Sequence, residues 1–116
     1  MKKIEAIIRT SMFNTVKEAL HAIGVDFFTF ADVKGVGNQK SERGTYRGVE
    51  YDLGSIARTQ LNIVVPEDIA DDVIQAILAH GATGEIGDGK IFVTDVAQVI
   101  RIRDGKVDDA ALQPVG

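Results

Sequence analysis

The chain has 116 residues, 45% of them apolar, and a net charge of −4 from 13 basic and 17 acidic side chains. That length suits a single domain with a working core, and acids scattered along the whole chain argue against a nucleic-acid binder, which presents a basic face. Cysteine is absent, which fits a reducing, cytoplasmic setting, and no apolar run approaches the roughly 18–20 residues of a membrane span.

KKIEAIIR (2–9) alternates with period two, Ile4, Ala6 and Ile8 on one side and Lys3, Glu5 and Arg9 on the other, and predicts a strand. FNTVKEALHAIG follows with Val16, Ala19, Leu20 and Ile23 at helical spacing. Asn14 or Thr15 is its expected cap, Thr15 forming a capping box with Glu18, and Gly24 its expected end. VDFFTFADV (25–33) is aromatic and β-branched, and reads as a second strand. The pattern then repeats. RTQLNIVV (58–65) is a strand, and PEDIADDVIQAILAHG is a helix opened by proline and acids and ended by Gly81. KIFVTDV (90–96) is a fourth strand and AQVIRIR (97–103) a short extended segment. Two βαβ units in one small chain predict an α+β fold, the ferredoxin-like double βαβ sandwich. Both helices then cover one sheet face, and Ile7, Val64 and Phe92 are apolar on the other. A bare apolar face of that kind calls for a partner, so a homo-oligomer is expected.

Between the two halves lies GVGNQKSERGTYRGVEYDLGS (35–55), with five glycines and little periodicity. Connections of this length in a compact domain are functional or disordered. It holds both tyrosines, Tyr46 and Tyr51, near Arg43 and Arg47, residue types that anchor interfaces and, for tyrosine, accept charged modifications.

GEIGDGKIFV (84–93) packs three glycines into six residues before a lysine and an apolar run. Locally it reads as the turn before a strand, or as a loop that holds phosphate, although a glycine cradle usually leads into a helix. Lys90, Arg101, Arg103, Arg58 and Lys40 are cations at the ends of predicted elements in a net-acidic chain. Arg101 and Arg103, two apart in VIRIR, are expected to project from one face. Arginine forks suit phosphate or carboxylate; salt bridges to the acids are the competing reading. His21 and His80 lack metal-ligand spacing, no serine sits in a nucleophile elbow, and the adjacent pairs Asp71–Asp72 and Asp108–Asp109 read as solvated acids.

The motifs KGVGNQK (34–40), YRGVEY (46–51), IGDGKIFV (86–93) and VIRIR (99–103), in this order and spacing, resemble the PII signal-transduction proteins from Lys2 to about Arg103. The resemblance implies one PII-like domain over 1–116, with 35–55 as a target-binding loop and 104–116 as a tail, assembling as a homotrimer that binds ATP or ADP between subunits. Nucleotide contacts are implied for Ile7, Thr29, Gly35, Gly37, Asn38, Gln39, Asn62, Val64, Gly87, Asp88, Gly89, Lys90, Arg101 and Arg103, the arginines and Thr29 reaching across from a neighbouring subunit. It further implies 2-oxoglutarate as effector at Gln39, Lys40 and Arg58, Gln39 assisting an ATP-bound Mg²⁺, and Tyr51 as the residue nucleotidylated in some members. Implied partners are ammonium transporters or other nitrogen-metabolism targets, with the membrane met only through a transporter.

The chain departs from the usual pattern at several positions: Thr10, Ser11 and Met12 in place of Pro-Phe-Lys, Asn38 for a basic residue, Arg58 for lysine, Asn62 for glutamate, Glu85 for lysine, and SERGT inside the loop. These changes motivate an alternative, a PII-like adenine-nucleotide sensor serving a carbon or other small-anion transporter without a 2-oxoglutarate response. An enzyme reading, slow nucleotide hydrolysis in the same cleft, lacks a general base.

Overall fold

The computed structural model describes residues 1–36 and 57–112, together with the backbone of Arg43–Tyr46 and Val49–Asp52. Strand β1 (Lys2–Arg9) leads into helix α1 (Phe13–Ala22) and strand β2 (Thr29–Lys34). Strands β3 (Arg43–Tyr46) and β4 (Val49–Asp52) follow, then β5 (Ala57–Val65), helix α2 (Glu67–Gly81), strand β6 (Ile91–Asp95) and the short helix α3 (Asp109–Leu112). The main sheet runs β2–β5–β1–β6 with every neighbour antiparallel. Each βαβ unit therefore encloses a strand of the other, β5 lying between β1 and β2 and β1 between β5 and β6. This is the ferredoxin-like arrangement that the repeated pattern predicts.

Period two decides which face is buried. Ile4 lies opposite Ile63 and Ala6 opposite Leu61, and these four are fully buried with Val16, Leu20 and Val73 from the two helices. Burying a side chain of this size contributes about 1.5–3 kcal/mol, so the alternation in KKIEAIIR and RTQLNIVV fixes both strand register and the side the helices cover. On the other face Ile7 and Val64 remain half-buried and Phe92 is 49% exposed.

Helix ends follow local chemistry, with two surprises. At the end of α1 the Gly24 amide donates to the His21 carbonyl (2.9 Å) and the Val25 amide to the Leu20 carbonyl (2.9 Å), with Gly24 at φ 85°. This is a Schellman stop, and its apolar pair Leu20 and Val25 is buried. At the start of α1 the expected capping box is not formed: Asn14 and Thr15 already lie inside the helix, and no side chain caps it. The reason is the 3₁₀ turn Thr10–Met12, which carries the chain straight from β1 and lets the Phe13 amide donate to the Thr10 carbonyl. Gly81 is the last residue of α2, the chain turning extended at Ala82, and packing favours glycine there, since a Cβ would lie 3.2 Å from Cγ2 of Val16.

Three other expectations are corrected. Residues 25–28 are not strand, because the Schellman stop draws Val25 into the core and β2 starts only at Thr29. The stretch 35–55 is not wholly irregular: Arg43–Tyr46 and Val49–Asp52 pair antiparallel, Arg43 opposite Asp52 and Tyr46 opposite Val49. VIRIR is extended only as far as Arg101, with Ile100 bridging Val107 antiparallel. The chain reverses at 101–106, where the Arg101 amide donates to the Lys106 carbonyl (2.8 Å) and Gly105 takes φ 71°.

Candidate functional site

The glycine turn between α2 and β6 is clamped onto the end of β1. The Ile7 amide donates to the Lys90 carbonyl (2.9 Å), which extends the β1–β6 ladder back into the turn. Gly89 is pressed against that strand so closely that a Cβ would sit 1.7 Å from the Ile7 carbonyl oxygen. Gly84 and Gly87 adopt φ 83° and 109°, the left-handed region where other residues are strained. The glycines of GEIGDGK are thus demanded by the backbone at three separate points.

Asp88 organises this turn from within. Its Oδ1 accepts from Arg9 Nε (2.9 Å) and the Thr83 hydroxyl (2.7 Å), and its Oδ2 from the amides of Thr83 (2.8 Å) and Gly84 (2.9 Å). Burial works to raise its pKa, but hydrogen bonds from Thr83, Arg9 and the two amides outweigh that and hold the carboxyl well below its ordinary range. The group is an anion at any physiological pH, and its oxygens face its own loop.

Two arginines lie under the turn. Arg9 and Arg58 are direct partners across β1 and β5, a like-charge pair that is unfavourable unless each finds an acceptor. Arg9 takes Asp88 and, through Nη2, the Ile86 carbonyl (2.8 Å). Arg58, buried to 6% exposure, donates from Nε to the Gly87 carbonyl (3.2 Å). Lys90 remains exposed beside Ile7.

The expected site residues divide by location. Ile7, Arg58, Gly87, Asp88, Gly89 and Lys90 come together at this end of the sheet. Thr29, Asn62 and Val64 are on the face opposite the helices, Thr29 directly across from Asn62, and Gly35 follows the end of β2. Arg101 and Arg103 share the turn at 101–106, where both reach Asp104, Arg101 Nη2 at 2.8 Å and Arg103 Nη2 at 3.8 Å. The bond from Arg101 holds the Asp104 pKa down to about 2. The two arginines do converge, but through a reverse turn and not along one face of an extended strand. The glycine turn enters β6 at Ile91, opposite Ala6, whereas the arginine turn follows its other end at Asp95, opposite Lys2. Gly37, Asn38, Gln39, Lys40 and the side chain of Tyr51 lie outside the described residues.

Arg9 and Thr83 are the site residues that the sequence reading omits. Thr83, five positions before Asp88, carries a faint local signal as a hydroxyl beside a glycine turn. Arg9 carries none, being 79 positions from its partner.

The family described as Nitrogen regulatory protein P-II matches residues 1–106. The chain belongs to the P-II family. Nitrogen regulatory protein P-II 1 of Escherichia coli K12 is 49% identical over 112 residues, which is 97% of this chain and all of that protein. The P-II protein of Haemophilus influenzae is 43% identical over the same length. A crystal structure of Arabidopsis thaliana PII bound to citrate superposes with a TM-score of 0.79 at 36% identity, covering 99% of this chain and 92% of that one. The chain is accordingly a nitrogen-regulatory signalling protein of the P-II family and not an enzyme.

Proposed function

We propose that the chain is a single P-II domain acting as a trimeric adenine-nucleotide sensor that reports on 2-oxoglutarate and regulates nitrogen uptake or assimilation through protein contact in the cytoplasm. The observation that carries this reading is the clamped glycine turn: a backbone fixed by Gly87 and Gly89, two arginines beneath it and the exposed Lys90 at its exit. A rigid loop of amides with a neighbouring ammonium suits the phosphates of ATP or ADP. Asp88 then serves by shaping the turn, since its carboxylate is already satisfied. Among the described residues no group of three or more His, Cys, Asp or Glu could hold a metal, so Mg²⁺ would arrive on the ATP phosphates, with Gln39 assisting.

The trimer is supported by position. Arg101 and Arg103 follow the far end of β6 from the glycine turn, so a second copy is the economical way to bring arginines to the phosphates. The half-buried Ile7 and Val64 and the exposed Phe92 give that copy an apolar face to pack on. The hairpin of β3 and β4 within 35–55 suits a presented arm, with an ammonium transporter as its expected target and Tyr51 as its modification site.

Arg58 bears on the effector. A related PII is bound to citrate, a polycarboxylate with the same oxygen chemistry as 2-oxoglutarate, which fits an oxoacid held by Arg58, Lys40 and Gln39. The existing bond from Arg58 to the Gly87 carbonyl favours a second reading, a nucleotide sensor without a 2-oxoglutarate response that serves a carbon or other small-anion transporter.

Calorimetric titration of ATP–Mg²⁺ and of ADP, each with and without 2-oxoglutarate, separates the two. Oxoacid binding that requires ATP–Mg²⁺ supports the nitrogen-sensor reading, nucleotide binding indifferent to it supports the second, and absence of nucleotide binding removes both.

A further inference from the structure

Every hydrogen-bonding position of the Asp88 carboxylate is filled by one strand end and one loop residue with its neighbour. Arg9 supplies Nε at 2.9 Å, Thr83 its hydroxyl at 2.7 Å and its amide at 2.8 Å, and Gly84 its amide at 2.9 Å. Arg9 also grips the backbone of the same turn, its Nη2 donating to the Ile86 carbonyl at 2.8 Å. One planar guanidinium thus holds both the anchor and the chain leading to it, a geometry that the single ammonium of lysine does not reproduce.

We propose that Arg9 and the Thr83 hydroxyl are positioning residues for the ligand-binding turn: by orienting the Asp88 carboxylate they aim its second oxygen at the Thr83 and Gly84 amides and set the backbone of 84–89 before any anion arrives. The inference rests on the reading of this turn as the phosphate-binding element. The physical need is clear from the turn itself. Glycines at φ 83° and 109° are the most costly residues to immobilise. A turn left loose in the unbound protein would lose affinity to that ordering, whereas one fixed in advance would not. Arg9 secures it through Asp88 on one side, and Arg58 holds the Gly87 carbonyl on the other.

The test uses Thr83→Val, which keeps shape and removes the hydroxyl, Thr83→Ser, which restores the hydroxyl, and Arg9→Gln. Calorimetry with ATP–Mg²⁺ should show T83V weaker by about tenfold and T83S within about twofold of the parent, at matching thermal midpoints. Equal ATP affinity in T83V and the parent overturns the proposal. In the ligand-free protein, the Gly84 amide should exchange with solvent about tenfold faster in T83V and R9Q relative to the Ile4 and Leu61 amides. Unchanged Gly84 exchange in both variants also overturns it. If the parent binds no ATP, the phosphate reading fails, and Gly84 exchange still decides whether Arg9 and Thr83 set the turn.

Discussion

A Cβ on Gly89 would stand 1.7 Å from the carbonyl oxygen of Ile7, far inside any contact that atoms tolerate. The obstruction is backbone, so neither a rotamer change nor a flexible side chain can relieve it. Gly89→Ala must lift the turn away from β1, breaking the bond from the Ile7 amide to the Lys90 carbonyl. The expected outcome is a loss of about 1–3 kcal/mol in urea unfolding. Nucleotide affinity should fall by at least about tenfold, the scale of one lost charge-assisted contact. Unfolding curves and calorimetry on the same preparation check both.

The face opposite the helices should govern assembly. Val64→Asp puts a charge beside Lys3 on the sheet face that also carries Ile7 and Phe92, without touching the core, because Val64 points away from Ile63 and Val65. Light scattering after size exclusion is expected to show a trimer for the parent and a monomer for the variant. Unchanged mass would remove this face from the interface.

Arg58 is engaged with two carbonyls, donating from Nε to Gly87 and from Nη1 to Ala57 (3.3 Å). Arg58→Lys retains the charge and loses the fork. If an oxoacid uses this cation, the variant should bind 2-oxoglutarate about tenfold more tightly in the presence of ATP–Mg²⁺, by about 1.5 kcal/mol for one charge-assisted hydrogen bond no longer competing. A weaker oxoacid response in the variant would show that the fork itself is what the effector needs.

Acid stability should follow Asp88. Its folded pKa lies below the unfolded value of 3.8, so it contributes stability above that value and loses it as pH falls toward the lowered one. Urea midpoints are expected to drop on going from pH 5 to pH 3, with a smaller drop in Asp88→Asn. Asp104, held at about 2 by Arg101, acts in the same direction, but its exposure leaves it screened by salt.

His21 works with the opposite sign. Its bond to Asp26 raises its pKa above 6.5, so this contribution is full below 6.5 and is lost as pH rises through the raised value. Titration by NMR should show His21 above its ordinary value, returning toward it in Asp26→Asn.

The strands at 2–9 and 58–65, both helices, the glycine that stops α1 and the ferredoxin-like order are legible in the residues alone, because each rests on a period or a dihedral requirement carried by neighbouring residues. The sequence also marked GEIGDGK as special, since glycine demand is local. It misplaced the start of α1 because the 3₁₀ turn at Thr10–Met12 does the work that Thr15 and Glu18 could have done. It overextended the second strand, since the β propensity of VDFFTFADV says nothing of Val25 being drawn inward. It carried the extended reading through Arg103, whereas the strand-like stretch stops at Arg101 and the chain turns back through bonds with residues 105–108. How the glycine turn is held is visible only in the fold: Arg9 and Arg58 are neighbours across β1 and β5, Arg9 reaching the turn from the first βαβ unit and Arg58 from the turn's own unit. Those contacts join residues 29 and 79 positions apart. No periodicity reports them, because the sheet order brings residues far apart in the chain to one end of the sheet.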